Sequence, residues 1–338
     1  MQLYYQYRFG YFAGIGKCGK EGVLIKGSNY LDVLTKTKSI VLDKTGTITK
    51  GNFEVSKIIL ADEITEEELL EVALAAESMS NHPIAKSIIN KINKNIDTKE
   101  IYEYTEIAGM GIKVKYKEDE ILVGNSKLLD TENIKYYPCN EIGAIVYVAK
   151  NKKYLGAIVV SDAIKEDSKE AIDGFYKNGI KDIYMLTGDN KEISEYIAKQ
   201  VGIQNVYYNL LPAEKVKKLQ EIKNSGNVVI AIGDGINDSP ILALADVGVA
   251  IGNTGSDLAI ETSDMVIMDG KLSSFNKGIK EAKRTKRIVT QNIYIAIGIK
   301  LIVLALGALG ISTMWEAVFA DVGVTFITVL NSLRIFKR

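Results

Sequence analysis

Short apolar runs that stop at glycine or aspartate recur along the chain, and segments with helical spacing lie between them. In the helical segments, such as "KEDSKEAIDGFYKNGI" and "PAEKVKKLQEIKNSG", apolar residues recur every three or four positions. Buried strands that alternate with helices are typical of a doubly wound parallel sheet, so we predict an α/β fold. The apolar runs are residues 39–43, 183–189, 228–235, 247–252 and 264–268.

Residues 58 to about 156 depart from this pattern. Two helical segments, 65–79 and 82–94, precede the stretches 104–125 and 144–160, which alternate like antiparallel strands joined by tight turns. We therefore predict a second, α+β domain that is inserted between the first and second strands of the parallel sheet.

The C-terminal part is apolar over 292–311 and again over 317–336. Each stretch would span roughly 30 Å as a helix, enough to cross a bilayer. The basic segments "KRTKR" and "RIFKR" flank the pair, whereas the connection "STMWE" has no lysine or arginine. The positive-inside rule then predicts a transmembrane hairpin with both ends cytoplasmic. The alternative is a buried helical pair of a soluble protein.

The composition excludes some classes of function. Lysine plus arginine and aspartate plus glutamate both total 42, so no net charge points to nucleic acid as a partner. The only cysteines, Cys18 and Cys139, are far apart, which argues for a reducing compartment and against a zinc or redox module.

Acidic residues follow the apolar runs at four positions: Asp43, Asp189, Asp234 and Asp238. A single carboxylate after a strand is often only a turn anchor. The carboxyl ends of parallel strands meet at one edge of the sheet, however, and acids that converge there require a cation. Carboxylate oxygens together with a phosphate suit Mg²⁺.

With such a cation present, Asp43 can attack phosphorus and form an acyl phosphate. We expect Thr187 and the backbone amides of Gly46 and Gly188 to hold the phosphate oxygens, and Lys215 to offset the charge that develops.

Thr45 stands two residues after Asp43, where a phosphatase of this layout needs a second acid. A threonine does no acid–base work at neutral pH. We therefore predict a phosphoenzyme that forms but hydrolyses slowly unaided, as is useful when its energy must drive a change of shape.

The motifs "DKTGT", "TGDN" and "GDGINDSP", in this order and with a domain inserted after the first, resemble the P-type ATPases, ion pumps of the haloacid-dehalogenase fold. The resemblance implies ATP and Mg²⁺ as cofactors and Asp43 as the phosphorylated residue. It makes Asp43, Asp234 and Asp238 the Mg²⁺ site. The implied phosphate-pocket residues are Thr45, Thr187, Asp189 and Lys215.

The inserted domain is similar to the nucleotide-binding domain of the heavy-metal subgroup. A lone histidine, as His82 is, more often caps a helix or fills a core than binds a ligand. The glycine-spaced turn beside it favours close approach of an adenine to the backbone. The nucleotide contacts that the resemblance implies are Glu77, His82, Gly109, Gly111, Gly124 and Asn125.

Lys300 and Asp321 lie within the two predicted spans, where an unpaired ionisable residue costs roughly 2.5–3.5 kcal/mol. They lie about 15 and 9 Å from the outer connection, which is close enough for long side chains to pair. Snorkelling without a role in transport is the alternative. "GIK" and "ADVG" resemble the zinc/cadmium/lead exporters, in which the aspartate binds the metal and the lysine is its counter-charge. The Asn-Tyr and Met-Ser-Ser patterns that the copper branch would show are absent from these two stretches. The sequence does not rank zinc, cadmium, lead and cobalt.

The resemblance begins at about Gly14, whereas this class of pump has six further membrane helices, an actuator domain and a Cys-Pro-Cys site before that point. We therefore expect a truncated C-terminal half in the plasma membrane with a cytoplasmic body, and a second chain is the candidate partner that would supply the missing half. The predicted domains are a remnant of a membrane helix with its linker (1–35), a phosphorylation domain (36–57 plus 157–285), a nucleotide-binding domain (58–156) and the hairpin (288–336).

The predicted activity is ATP-driven export of Zn²⁺, Cd²⁺ or Pb²⁺ through an aspartyl phosphate. Two alternatives stay open: a non-transporting ATP-binding remnant or regulator, and a membrane-tethered phosphatase of the same fold.

Overall fold

The computed structural model describes residues 2–92, 96, 100–235, 238–252, 261–310, 315, 318 and 322–336, with side chains from residue 8 onward. The chain divides into two units by its internal contacts. Unit 1 is Met1–Ile48 with Glu166–Arg338, and unit 2 is Thr49–Lys165.

The strands are β1 (Val23–Ile25), β2 (Ser39–Asp43), β3 (Thr49–Leu60), β4 (Ile101–Ile107), β5 (Gly111–Tyr116), β6 (Asp119–Gly124), β7 (Ala144–Lys150), β8 (Lys153–Ile164), β9 (Asp182–Leu186), β10 (Asn205–Tyr207), β11 (Val229–Gly233), β12 (Val247–Ile251) and β13 (Met265–Ile267). The helices are α1 (Gln2–Lys20), α2 (Ser28–Lys36), α3 (Glu66–Glu77), α4 (Pro83–Ile92), α5 (Ser126–Thr131), α6 (Ser168–Lys177), α7 (Lys191–Val201), α8 (Pro212–Asn224), α9 (Ser239–Leu244), α10 (Leu272–Ala308) and α11 (Val324–Ser332).

Unit 1 is built on a seven-stranded sheet in the order β1-β13-β12-β11-β2-β9-β10. All neighbours pair in parallel except β1, which is antiparallel to β13. The central strands are apolar throughout because both faces are buried: β11 and β12 have no exposed residue. The predicted doubly wound parallel sheet is therefore confirmed, with one antiparallel edge strand added.

Unit 2 contains a six-stranded antiparallel sheet in the order β3-β8-β7-β6-β5-β4. Helices α3 and α4 supply apolar side chains to the core on one face, among them Leu69, Ala73 and Ile88. Thr65 caps α3 by accepting a hydrogen bond from the backbone N–H of Glu68. The unit extends beyond the predicted limits 58–156 at both ends, because β3 and β8 pair with each other over most of their length.

The C-terminal helix α10 has 37 residues, and its second half coincides with the predicted span 292–311. It is the one helix among the described residues that is long and apolar enough to cross a bilayer, while Val324–Ile335 forms a shorter apolar helix. Part of the predicted span 317–336 lies outside the described residues, so the hairpin stays a prediction.

The N-terminal helix α1 occupies 19 residues, Gln2–Lys20, of the segment 1–35 that was predicted to be a remnant of a membrane helix with its linker. It packs against α10 through glycines: a Cβ at Gly10 would lie 2.5 Å from Val289 Cγ2, and one at Gly14 would lie 2.6 Å from Thr285 Oγ1. Aromatic residues and glycines mask its helical period in the sequence.

Candidate active site

Asp43 is the last residue of β2, at the carboxyl edge of the parallel sheet. The three residues before it, Ile40–Leu42, are buried. The turn Lys44–Ile48 follows at once, and its Gly46 has φ 72°, a left-handed conformation that favours glycine. The backbone N–H of Thr45 donates a hydrogen bond to Asp43 Oδ2 at 2.9 Å. The turn thus orients the carboxylate and leaves its other oxygen for a second partner.

Lys215, in the first turn of α8, is that partner and also reaches a second acid. Its Nζ lies 2.5 Å from Asp43 Oδ1 and 3.2 Å from Asp238 Oδ1. At most 13% of each of the three side chains is exposed. The start of α8 is fixed by Glu214, whose side chain accepts a hydrogen bond from the backbone N–H of Leu211.

Burial weakens the ionisation of both acids. It raises the pKa of Asp43 above its ordinary value, against the opposing effects of the Lys215 ammonium and the Thr45 N–H. Burial, reinforced by the charge of Asp43, raises the pKa of Asp238 to about 7. For Lys215, the two carboxylates outweigh burial and raise the pKa. This edge of the sheet therefore favours additional positive charge.

Asp234 lies beside the same cluster. A Cβ at Gly46 would approach Asp234 Oδ2 to 3.2 Å, and one at Gly233 would approach Asp238 Oδ2 to 3.1 Å. Asp238 Oδ2 is buried and has no hydrogen-bond partner among the described residues. The acids predicted to hold Mg²⁺ are thus gathered at the turns after β2 and β11.

The carboxylates at this edge fit a Mg²⁺ ion that is bound jointly by the protein and by a phosphate of the substrate. Across the described residues, no three His, Cys, Asp or Glu side chains are grouped closely enough to hold a metal ion by themselves. Mg²⁺, however, is usually bound through one or two carboxylates together with waters and substrate phosphates. Asp238 Oδ2 is a buried oxygen of the right chemistry for that role.

The loop after β9 carries the predicted phosphate-pocket residues Thr187 and Asp189. Thr187 is 2% exposed, and its Oγ1 accepts a hydrogen bond from the backbone N–H of Asp189 at 3.1 Å. Asn190 caps α7 by accepting from the N–H of Ile193. Because β2 and β9 pair with Asp43 opposite Leu186, this loop and the Asp43 turn leave the sheet side by side.

Lys44 is the residue that sequence reasoning missed. Its Nζ lies 2.5 Å from Asp189 Oδ2, and only 7% of the Lys44 side chain is exposed. A buried lysine therefore ties the turn after β2 to the loop after β9. Its position directly after Asp43, at an edge that also holds Asp189, was the available signal.

Unit 2 contains a separate cavity of about 390 Å³. All six predicted nucleotide contacts line it: Glu77, His82, Gly109, Gly111, Gly124 and Asn125. No lysine or arginine is among its lining residues within the described part of the chain. The cavity is therefore apolar and acidic rather than basic.

Glu77 is 6% exposed at the cavity wall. Burial, with a smaller contribution from the charge of Glu106, raises the pKa of Glu77 to about 7. At neutral pH this carboxyl group is therefore partly protonated and can donate as well as accept a hydrogen bond.

His82 caps α4: its Nδ1 accepts a hydrogen bond from the backbone N–H of Ile84 at 3.2 Å. The capping alternative is therefore observed, and Nε2 of the same exposed ring is the nitrogen that a ligand could contact. One orientation of the His82 ring is therefore compatible with both helix capping and the predicted contact with a nucleotide.

Glycine occupies the positions at the cavity for different physical reasons. A Cβ at Gly111 would lie 2.5 Å from Gly124 Cα, so these two glycines let neighbouring strands approach closely. Gly109 has φ 71° but open space around its Cβ position. Asn125 closes the turn, because its Nδ2 donates to the carbonyl of Gly109 at 2.8 Å.

A family model described as haloacid dehalogenase-like hydrolase matches residues 37–246. The chain belongs to this family. The core of the match, β2 with its Asp43 turn and the strands beside it, is the part of unit 1 that forms the acidic edge.

Within this hydrolase family the chain resembles metal-transporting ATPases. It is 49% identical over 331 residues to the cadmium, zinc and cobalt-transporting ATPase of Bacillus subtilis, covering 97% of this chain and 47% of that protein. It is 45% identical over 330 residues to the zinc-transporting ATPase of Synechocystis, covering 97% and 46%. The predicted resemblance to the zinc/cadmium branch of P-type ATPases is therefore confirmed, and the chain spans about half the length of the curated relatives it matches.

A solved structure agrees with this resemblance. The crystal structure of a zinc-transporting PIB-type ATPase in its E2.Pi state superposes with a TM-score of 0.89 at 30% identity. The match covers 99% of this chain and 56% of the other.

Of the two predicted transport residues, the structure describes only one. Lys300 lies in the apolar half of α10 and is partly exposed. Asp321 lies outside the described residues. Their pairing therefore stays a prediction.

Proposed function

We propose that this chain carries the phosphoryl-transfer chemistry of an ATP-driven exporter of a divalent heavy-metal ion, with Zn²⁺, Cd²⁺ or Pb²⁺ as the transported substrate. The observation that carries the proposal is the bridge that Lys215 makes between Asp43 and Asp238 at the carboxyl edge of the sheet. The names of the similar proteins support the substrate class. Because the chain spans about half their length, transport itself belongs to the proposal.

In the proposed step, a carboxylate oxygen of Asp43 attacks the γ-phosphorus of ATP. The bond from phosphorus to the bridging oxygen breaks, ADP leaves, and an acyl phosphate remains on Asp43. Lys215 faces the charge that develops on the phosphoryl oxygens. Thr187 and the amides of Gly46 and Gly188 orient those oxygens.

Asp43, Asp234 and Asp238 would hold Mg²⁺, which when bound neutralises phosphate charge and permits two anions to approach each other. The support is the buried, unpartnered oxygen of Asp238 and the acids gathered around it.

The cavity of unit 2 is the proposed nucleoside site. Its apolar walls and Glu77 suit an uncharged base, and it has room for one, at about 390 Å³. The exposed His82 ring and the open space at Gly109 are the accessible contacts at its rim.

Asp321 is the proposed ligand of the transported ion and Lys300 its counter-charge, in a plasma-membrane hairpin with the body in the cytoplasm. A second chain that supplies further membrane helices is part of this proposal. In a reconstituted whole pump, Asp321→Ala should lower the affinity for zinc or cadmium. Unchanged affinity would remove the basis for naming the ion.

A membrane-tethered phosphatase is the competing function, since the family model describes hydrolases. Thr45 argues against it, because the side chain two residues after Asp43 is exposed but carries no acid. The third candidate function is that of a regulator that binds ATP without transferring its phosphoryl group.

One experiment separates the three. The purified chain is incubated with γ-labelled ATP and Mg²⁺ and quenched in acid. Label that is hydroxylamine-sensitive and absent from Asp43→Asn supports the pump chemistry. Rapid release of phosphate without trapped label would support the phosphatase, and ATP binding without either would leave the regulator.

A further inference from the structure

All five arginines of the chain lie in or beside three helical segments: Arg8 in α1, Arg284 and Arg287 in α10, and Arg334 and Arg338 after α11. The rest of both units uses only lysine as its permanent cation. Arg338 lies outside the described residues. Arginine and lysine differ in how they bind anions, so this distribution indicates a local chemical requirement.

The three helices form one bundle, here called the stem, in unit 1. Helix α1 runs antiparallel to α10, because Gly10 packs on Val289 and Gly14 on Thr285. Asn292 of α10 is buried and donates hydrogen bonds to the Thr328 carbonyl and to Ser332 Oγ of α11. The stem is thus held together by close backbone approach on one side and a buried amide on the other.

Arg284 and Arg287 lie just before the apolar half of α10, and Arg334 lies against Arg284. Arg284 Nη2 donates to the carbonyl of Arg334, and Arg334 Nη1 donates to Asn331 Oδ1. Lys20 lies over the ring of Phe336, with Nζ 5.6 Å from the ring centroid. Arg287 is exposed and has no hydrogen bond or ion pair with any described residue. Arg287 and Arg334 therefore keep N–H donors that no described residue accepts.

Acids are sparse near these arginines in the sequence of the stem. No aspartate or glutamate occurs within residues 8–20, 284–310 or 322–336. One turn before the collar, Glu281 Oε2 lies 3.9 Å from Arg284 Nη1, whereas the ion pairs Lys17–Glu21 and Lys286–Asp32 use other cations. The collar is formed by Lys20, Arg284, Arg287 and Arg334, and it keeps a net positive charge because only Arg284 has an acidic partner among the described residues.

Exposed aromatic side chains accompany the collar. Phe12 is 68% exposed, Phe336 43% and Tyr294 73%. Arg287 precedes Asn292, where the apolar half begins, by about 7 Å along the helix. Cations next to aromatic rings at the end of an apolar helix are typical of the interface between water and a bilayer.

We propose that this collar binds the phosphate headgroup of anionic phospholipids, and that Arg287 and Arg334 are its principal contacts. The proposal rests on the membrane anchoring included in the proposed function. The planar fork of arginine matches two oxygens of a phosphodiester, which explains why arginine rather than lysine stands here. Lipids without net charge offer no such advantage.

The test uses the full chain, purified in a non-ionic detergent and mixed with equal amounts of phosphatidylglycerol and phosphatidylcholine. Native mass spectrometry identifies the retained lipid by its mass. We expect phosphatidylglycerol to be retained preferentially, and each lost cation to weaken its retention about fivefold. Arg287→Gln with Arg334→Gln should therefore lose most of the preference, and Arg287→Lys with Arg334→Lys should lose less.

The matched control is Lys169→Gln with Lys199→Gln, which removes the same charge from exposed positions on α6 and α7 of the same unit. It should retain phosphatidylglycerol like the wild type. Equal retention of both lipids by the wild type, or equal loss in the arginine and control pairs, would overturn the inference. Thermal unfolding of both pairs excludes a general loss of structure as the cause.

A separate experiment distinguishes failure of the membrane anchoring from failure of the lipid preference. If alkaline carbonate releases the wild-type chain from membranes, the anchoring in the proposed function fails and this inference fails with it. If the chain stays in the membrane but shows no preference for phosphatidylglycerol, only this inference fails.

Discussion

The acidic edge of unit 1 and the cavity of unit 2 differ most in their cations. Lys44 and Lys215 are buried among carboxylates at the edge, each in an ion pair. The cavity is lined by two acids and, among the described residues, by no lysine or arginine. The edge proposed to handle a phosphate buries cations in spite of their desolvation cost. The cavity proposed for a base offers apolar walls and a partly protonated acid.

This contrast indicates that the two units would play different parts in the proposed reaction. In that proposal, unit 1 carries the groups that bind and transfer the phosphoryl group, and unit 2 carries those that recognise the uncharged base. Variants in one unit should therefore leave the property of the other unchanged, and variants that affect both would break the comparison.

Lys215→Met should have the largest effect. It removes the cation that faces both Asp43 and Asp238, and we expect phosphoenzyme formation to slow by about 100- to 1,000-fold. Nucleoside binding, measured by calorimetry with adenosine, should not change. Lys218→Met on the same helix is the control, since Lys218 pairs with Glu221 instead. Equal rates in the two variants would contradict the role of Lys215.

Glu77→Gln tests the opposite unit through pH. The pKa of Glu77 is raised from 4.5 to about 7, so the folded state keeps a proton that the unfolded state has lost between these values. Stability should fall as pH rises through this window, by about 3 kcal/mol in total. Glu77→Gln should lack that fall, so its curve of unfolding free energy against pH should diverge from the wild type above pH 5. Glu71→Gln, at an exposed position of the same helix, is the control. Parallel curves for the wild type and Glu77→Gln would show that Glu77 is not protonated in the fold.

Thr45→Asp sharpens the comparison within unit 1. An acid two residues after Asp43 could protonate the leaving group and activate water, so the phosphoenzyme should decay up to about 100-fold faster. The decay of trapped label after a chase with unlabelled ATP measures this. Thr45→Asn has nearly the same shape without the acid and should decay at the wild-type rate. If Asp and Asn behave alike, the threonine is not what preserves the intermediate.

The pair Lys44–Asp189 should show the smallest effect. Asp189 is about one-third exposed, so solvent screens the interaction, and we expect a coupling free energy of about 1 kcal/mol. A double-mutant cycle of Lys44→Met and Asp189→Asn, followed by urea unfolding, measures it. Additive effects would mean that the two loops are not linked through this pair.

The sequence predicted the parallel sheet well, because its strands are buried on both faces and stop at the acids of the site. The apolar runs at Asp43 and Asp234 locate β2 and β11 almost to the residue. In unit 2, the capping residue Thr65 and the apolar spacing after it predict α3 in the same way.

Other elements were not predicted, for physical reasons. The long strand β3 is mostly exposed and polar, so it lacks the apolar alternation that marks a half-buried strand. Strand β1 has three residues, too few for any period. Lys44 was missed because its burial depends on Asp189, which the sequence places far away and the sheet brings close.

The most direct test of the central claim locates the phosphoryl group itself. The chain is phosphorylated with ATP and Mg²⁺, quenched in acid and digested at low pH, and the labelled peptide is sequenced by mass spectrometry. We predict that the phosphoryl group lies on the peptide that contains Asp43 and that Asp43→Asn abolishes it, while Asp189→Asn retains some. Label on any other residue, or undiminished label in Asp43→Asn, would contradict the account.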